Sequence, residues 1–121
     1  MAERILNGKI AIVTGAGRGL GRTMALGLLR AGANITMVER DANVLDEAVR
    51  EAQHTESAEP VVAYQGDVTS EKDATDAVVT TIERFGGFDI LVNNAALGPQ
   101  TFQPSNLEPV SYTHLTLPTK V

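Results

Sequence analysis

Cysteine is absent from this sequence, which excludes disulfides and thiolate metal sites, and no metal centre is expected. Positive charge is also short: 10 Lys and Arg stand against 15 Asp and Glu, for a formal charge of −5. No basic patch collects, so nucleic acid and anionic membrane surfaces are not expected partners. Long hydrophobic runs are missing, and those present are far too short to span a bilayer. The stretch from Met1 to Lys9 mixes Glu3, Arg4 and Lys9 with short apolar steps, so it reads as no secretory signal. A soluble, cytoplasmic protein is the expectation, and the absence of cysteine is consistent with a reducing compartment. Apolar residues nonetheless make up 43% of the 121, enough to bury the core of one domain.

What is present is an alternation of short apolar runs with longer helix-periodic ones. Ile10-Ala11-Ile12-Val13 is a compact β-branched run closed by Thr14-Gly15, as suits a parallel strand covered on both faces. Apolar residues at 20, 24, 25, 28 and 29 share one helical face, and Ala31-Gly32 closes that helix. Asn34 to Val38 reads as a second strand, and Val44, Leu45, Ala48, Val49 and Ala52 mark the next helix. Gln53 to Pro60 reads as a polar connection in which His54 is solvated. Val61 to Tyr64 is the third strand. Ser70 then reads as a helix N-cap, with Asp73 as its acidic partner three residues on. Ala74, Ala77, Val78, Ile82 and Phe85 form a third helical stripe ended by Gly86-Gly87, and Phe88 to Val92 is the fourth strand. Four strands alternating with three helices predict an α/β fold, a doubly wound parallel sheet with right-handed crossovers. A ligand would lie beyond the carboxyl ends of its strands.

The chemically unusual residues sit at those ends. The first strand runs into Thr14-Gly15-Ala16-Gly17-Arg18-Gly19-Leu20-Gly21, and a helix follows at once. A diphosphate needs backbone N–H donors within reach and the positive helix end behind them. Side chains at Gly15 or Gly19 would block that approach, and one at Gly21 would push the helix off the sheet. The spacing is Gly-x-x-x-Gly-x-Gly rather than the commoner Gly-x-Gly-x-x-Gly, and no Gly-Lys-[Ser/Thr] follows, which excludes a P-loop. Glu39 ends the second strand 24 residues after Gly15, near the spacing of an acid that binds an adenosine ribose. Such a carboxylate accepts from both ribose hydroxyls and repels a 2′-phosphate, which favours NAD. Arg40 and Arg18 pull toward NADP. Asp67-Val68 follows the third strand, and Asn93-Asn94-Ala95-Ala96 ends the fourth.

Thr14-Gly-x-x-x-Gly19-x-Gly21, with the lead-in Leu6-x-Gly8-Lys9, resembles the cofactor motif of the short-chain dehydrogenase/reductase family. The later motifs follow in the family's order, so the resemblance covers roughly residues 5–100. It implies a Rossmann-type sheet in the order 3-2-1-4, with Arg18 and Leu20 joining Gly15, Gly19 and Gly21 around the cofactor. It also implies that Asp67 accepts from the adenine amine, that Val68 packs on the ring, and that Asn94 and Ala95 lie along the ribose and nicotinamide side. The family's usual form is Asn-Asn-Ala-Gly, so Ala96 is a departure; Asn93 is expected to tie neighbouring strands together.

The resemblance further implies an oxidoreductase that exchanges hydride between a nicotinamide cofactor and an alcohol or ketone, in a homo-oligomeric parent. Its catalytic residues would be a Tyr, a Lys four residues later, and a Ser. None is expected in this chain: Tyr64 has Val68 four residues on, Tyr112 has Thr116, and Ser111 and His114 lack an orienting third group. Residues 1–110 are therefore expected to be the cofactor-binding half, inactive alone, with residues 111–121 an irregular tail. That tail resembles the peptide read when a frame crosses sequencing-adapter DNA, so native sequence is expected to end near residue 110; a divergent edge strand or disordered tail is the alternative. With the fourth strand a bare edge, marginal stability is expected. A non-catalytic nucleotide sensor on the same fold, and a methyltransferase holding S-adenosylmethionine, are the competing readings. Against the latter, Thr14 stands where an acid would be usual, and Asn93-Asn94 would have no task.

Overall fold

A computed structural model describes residues 4–55, 60–94 and, as backbone, 119–120. The elements run β1 (Ile10–Thr14), α1 (Gly19–Arg30), β2 (Asn34–Glu39), α2 (Ala42–Thr55), β3 (Val61–Gln65), α3 (Glu71–Phe85), β4 (Ile90–Asn93) and β5 (Thr119–Lys120). Every strand pair is parallel and the order is β3-β2-β1-β4-β5. The expected 3-2-1-4 arrangement is therefore present, with one short strand added.

That addition corrects the expectation of a bare edge on β4. Thr119 and Lys120 lie in parallel register with Ile90 and Leu91, because an open strand edge accepts any extended backbone that reaches it. Other residues of the 111–121 tail fall outside the described ones.

β1 and β2 are buried along nearly their whole length, as central strands covered on both faces must be. Alternate residues divide between the faces. Ala11, Val13, Ile35, Met37, Ile90 and Val92 pack with α1 and α2. Ile12, Val38 and Leu91 pack with Ala77 of α3. Thr36 joins them there through a 2.7 Å hydrogen bond donated by the Thr81 hydroxyl. β3, the outer strand, alternates between covered and open positions instead.

The helix ends have local causes. α1 stops where Gly32 takes φ +103°, so that its N–H reaches the Leu29 carbonyl and the Ala33 N–H reaches that of Leu28. α2 starts after Asp41, whose Oδ1 accepts from the N–H groups of Asn43 and Val44. α3 ends at Gly86, φ +93°, as its glycine pair predicts.

Four expectations need correcting. Leu20 is 65% exposed: it sits in the first turn of α1, beyond the sheet, and Leu26 takes its place on the covered face. Ile82 is 44% exposed, while Thr81 is fully buried, because the covered face of α3 centres on Ala77 and Thr81. His54 is exposed as expected, yet it belongs to the last turn of α2, not to a connector. Ser70 does accept from the Asp73 N–H, at 3.3 Å, but Asp73 does not reach back to Ser70. Its Oδ2 takes the Asp67 N–H at 2.9 Å instead, and the Ser70 N–H goes to the Asp67 carbonyl. The cap of α3 thus reaches into the loop after β3.

Candidate functional site

The carboxyl ends of β1 to β4 open on a cleft of ≈ 390 Å³. Gly15, Arg18, Glu39 and Arg40 line it from the first two strand ends. Asp67, Val68 and Asn94 line it from the next two, so seven of the residues singled out by sequence share one cavity. Gly19 and Gly21 belong to the helix start behind it. Leu20 projects into solvent, and Ala95 lies outside the described residues.

The glycine loop has a physical reason at each glycine that matters. Gly15 and Gly19 hold φ +62° and +58°, left-handed values that disfavour a side chain. A Cβ on Gly19 would meet nothing within 4 Å, so the space in front of the α1 N-terminus is open. A Cβ on Gly21 would collide with the Gly15 carbonyl oxygen and lie 2.6 Å from Asn94 Nδ2. Helix α1 can therefore approach the loop this closely only with glycine at 21. No acidic residue occupies its first turn, which leaves the positive helix end free for an anion.

Glu39 lies at the mouth with each carboxylate oxygen tied to the backbone. Oε1 accepts from the Gly17 N–H and Oε2 from the Asp41 N–H, both at 3.2 Å. Gly17 has to be glycine for this, since a Cβ there would lie 2.6 Å from Glu39 Oε1 and run into Val44. One carboxylate thus fixes the tip of the glycine loop against the β2–α2 turn. Beside it, the Arg18 guanidinium stands 3.7 Å from Asp41 Oδ2.

On the far wall, Asp67 Oδ1 accepts from the Thr69 hydroxyl at 2.7 Å and the Thr69 N–H at 2.9 Å. The Thr69 hydroxyl, then the Thr69 N–H, hold the Asp67 carboxyl below its ordinary pKa, with a smaller pull from the nearby charge of Arg40. Thr14 fastens the fourth strand end. Its hydroxyl oxygen accepts from the Asn94 N–H at 2.9 Å, and its proton can go to the Val92 carbonyl or to Asn93 Oδ1, at 3.3 and 3.2 Å. Asn93 thereby makes the strand tie expected of it, and Thr14 fixes the backbone at Asn94.

Sequence reasoning missed Gly17 and Asp41. Gly17 carried no signal of its own, because its constraint is a side chain 22 residues away. Asp41 carried one: an Asp directly before an apolar-periodic run is an N-cap pattern. Among the described residues no group of three His, Cys, Asp or Glu could hold a metal ion, and no helix is long and apolar enough to cross a membrane.

Comparison with known proteins places this geometry. A family model described as short chain dehydrogenase matches residues 9–113. A short chain dehydrogenase/reductase of Aspergillus oryzae is 43% identical over 102 residues, covering 78% of this chain and 36% of the relative. Mouse 15-hydroxyprostaglandin dehydrogenase [NAD(+)] is 36% identical over 119 residues, covering 93% of this chain and 44% of that protein. The crystal structure of apo glucose dehydrogenase from Caenorhabditis elegans superposes with a TM-score of 0.77 at 34% identity, over 92% of this chain and 48% of that one. The chain spans less than half the length of each of these three.

Proposed function

The chain belongs to the short-chain dehydrogenase family, and on that premise we propose that its cleft holds a nicotinamide dinucleotide, NAD in preference to NADP. The carrying observation is the meeting of four strand ends in one cavity, with a glycine loop, a ribose-side acid and an Asp-Val wall. The residues fit such a group: the space before α1 is open, the helix end is free of acids, and glycine at 21 lets α1 lie against the Gly15 carbonyl.

The diphosphate would take the N–H groups at the helix end of the loop, since the Ala16 and Gly17 N–H groups already go to the Val38 carbonyl and to Glu39 Oε1. Glu39, already oriented by two backbone donors, keeps lone pairs for the ribose hydroxyls and repels a 2′-phosphate. Asp67 would accept from the adenine amine, Val68 would cover the ring, and Asn94 with Ala95 would flank the nicotinamide ribose. When bound, the nicotinamide supplies the two-electron redox chemistry. In the whole protein that chemistry is oxidation of an alcohol or reduction of a carbonyl. No Tyr of this chain has a Lys four residues on, so the chain binds cofactor without turning it over.

Titration of the chain with NADH and with NADPH, followed by nicotinamide fluorescence, tests this. NADH should bind more tightly, and Gly21→Ala should weaken it at least about tenfold, or ~1.4 kcal/mol. Unchanged fluorescence with both cofactors at millimolar concentration would remove the reading.

A further inference from the structure

The wall of the cleft that carries Asp67 and Val68 is fastened from behind. The Asp67 N–H donates to Asp73 Oδ2 at 2.9 Å, and the Asp67 carbonyl accepts from the Ser70 N–H at 2.8 Å. The Ser70 hydroxyl accepts in turn from the Asp73 N–H at 3.3 Å, so the three residues close a ring of hydrogen bonds. Both Thr69 bonds to the Asp67 carboxylate fall on Oδ1, which leaves Oδ2 for a donor in the cavity.

Asp73 stands apart from the others in this ring. It is half-buried in the first turn of α3 and does not line the cavity. Thr69 lies two residues from Asp67 and moves with the same loop. Asp73 lies on a helix that Ala77 and the Thr81–Thr36 hydrogen bond hold to the sheet. Gly66 makes its approach possible, since a Cβ there would lie 2.5 Å from the Tyr64 ring and 3.2 Å from Asp73 Cβ. From this we infer that Asp73 is a positioning residue for the adenine: by holding the Asp67 N–H, it sets where the Asp67 carboxylate meets the exocyclic amine. The inference rests on the cleft being a dinucleotide site with Asp67 at its adenine end.

The test compares NADH with deamino-NADH, in which a carbonyl replaces the adenine amine, by nicotinamide fluorescence on the full chain. The readout is the ratio of the two affinities, because a general loosening of the fold weakens both alike. Asp73→Ala should cut the preference for NADH about fivefold, the scale of one net hydrogen bond. Asp73→Asn keeps an acceptor oxygen for the Asp67 N–H and should keep the ratio near that of the unaltered chain. A ratio unchanged in D73A overturns the role of Asp73, whether both affinities hold or both fall together. A ratio as low in D73N as in D73A overturns it too. A further readout needs no variant: at equal saturation of the unaltered chain, AMP should slow exchange of the Asp67 amide more than IMP, which lacks the amine. Equal slowing overturns the coupling even if D73A does not fold. Should the unaltered chain bind NADH and deamino-NADH equally well, the adenine contact of Asp67 and this inference fall while the dinucleotide site stands. Failure to bind either removes the cleft reading as well.

Discussion

Two helices cover one face of the sheet and a single helix covers the other, and the side chains beneath them differ accordingly. Among the described residues the α1/α2 face gathers fifteen buried apolar residues, including Leu29, Ile35, Met37 and Leu45, with alanines at 25, 48 and 52 that let the helices sit close. The α3 face gathers four, Ile12, Val38, Ala77 and Leu91, and adds a buried hydroxyl pair where the first face is dry. Val79 and Ile82 of α3 remain nearly half exposed. The cohesion of the molecule therefore lies on one face. The cleft inherits the asymmetry: Glu39 is held by the loops that lead into α1 and α2, whereas Asp67 is held by the cap of α3.

The comparison can be broken most sharply by cutting equal side chains from the two faces. Ile35→Ala should cost about 4 kcal/mol and Leu91→Ala about 2.5, read from urea midpoints, because the first leaves a cavity walled on all sides. Equal losses would mean that both faces are packed alike. Next in size is the hydroxyl pair. Thr81→Val strands the Thr36 hydroxyl in a site where both residues are fully buried, and should cost about 2 kcal/mol. Thr36→Val made with it should recover part of that loss, which a purely steric role would not allow.

These elements also show what was legible from residues alone. β1 and β2 could be read because strands buried on both faces spell continuous apolar runs, and the helix ends could be read because Gly32, Ser70 and Gly86 carry local geometry. Leu20 and Ile82 could not. A 3.6-residue stripe names a face, and only the sheet's finite width decides which of its members end up beneath cover. Thr81 was missed because a buried Thr is identified by its partner, here 45 residues away. In the site, residues at strand ends were legible through motif spacing. Gly17 was not, since what constrains it comes from the neighbouring strand.

Smaller effects sharpen the cleft's side of the comparison. Ser70→Ala removes the side-chain acceptor for the Asp73 N–H and should cost about 1 kcal/mol, with α3 amides exchanging with solvent faster while those of α1 hold. The smallest effect is that of pH. The Asp67 carboxyl is lowered by Thr69, so its contribution is fully present above the ordinary carboxylate pKa and fades as pH falls through the lower folded value. Asp67→Asn should therefore flatten the acid limb of the stability curve and leave the neutral plateau's slope unchanged, a contrast that acid titration by circular dichroism would resolve.

The place of β1 carries one more consequence, in time rather than energy. β1 lies at the middle of the sheet, yet its two neighbours are β2, which ends at Glu39, and β4, which begins at Ile90. On a ribosome adding 5–20 residues per second, the roughly 50 intervening residues take about 3–10 seconds to make. For that interval the nascent chain carries a finished hairpin-free pair, β1 against β2, with one apolar edge of β1 unpaired. The order of synthesis, set by nothing more than which strand sits at the centre, makes a chaperone's early attention worth most between the second strand and the fourth.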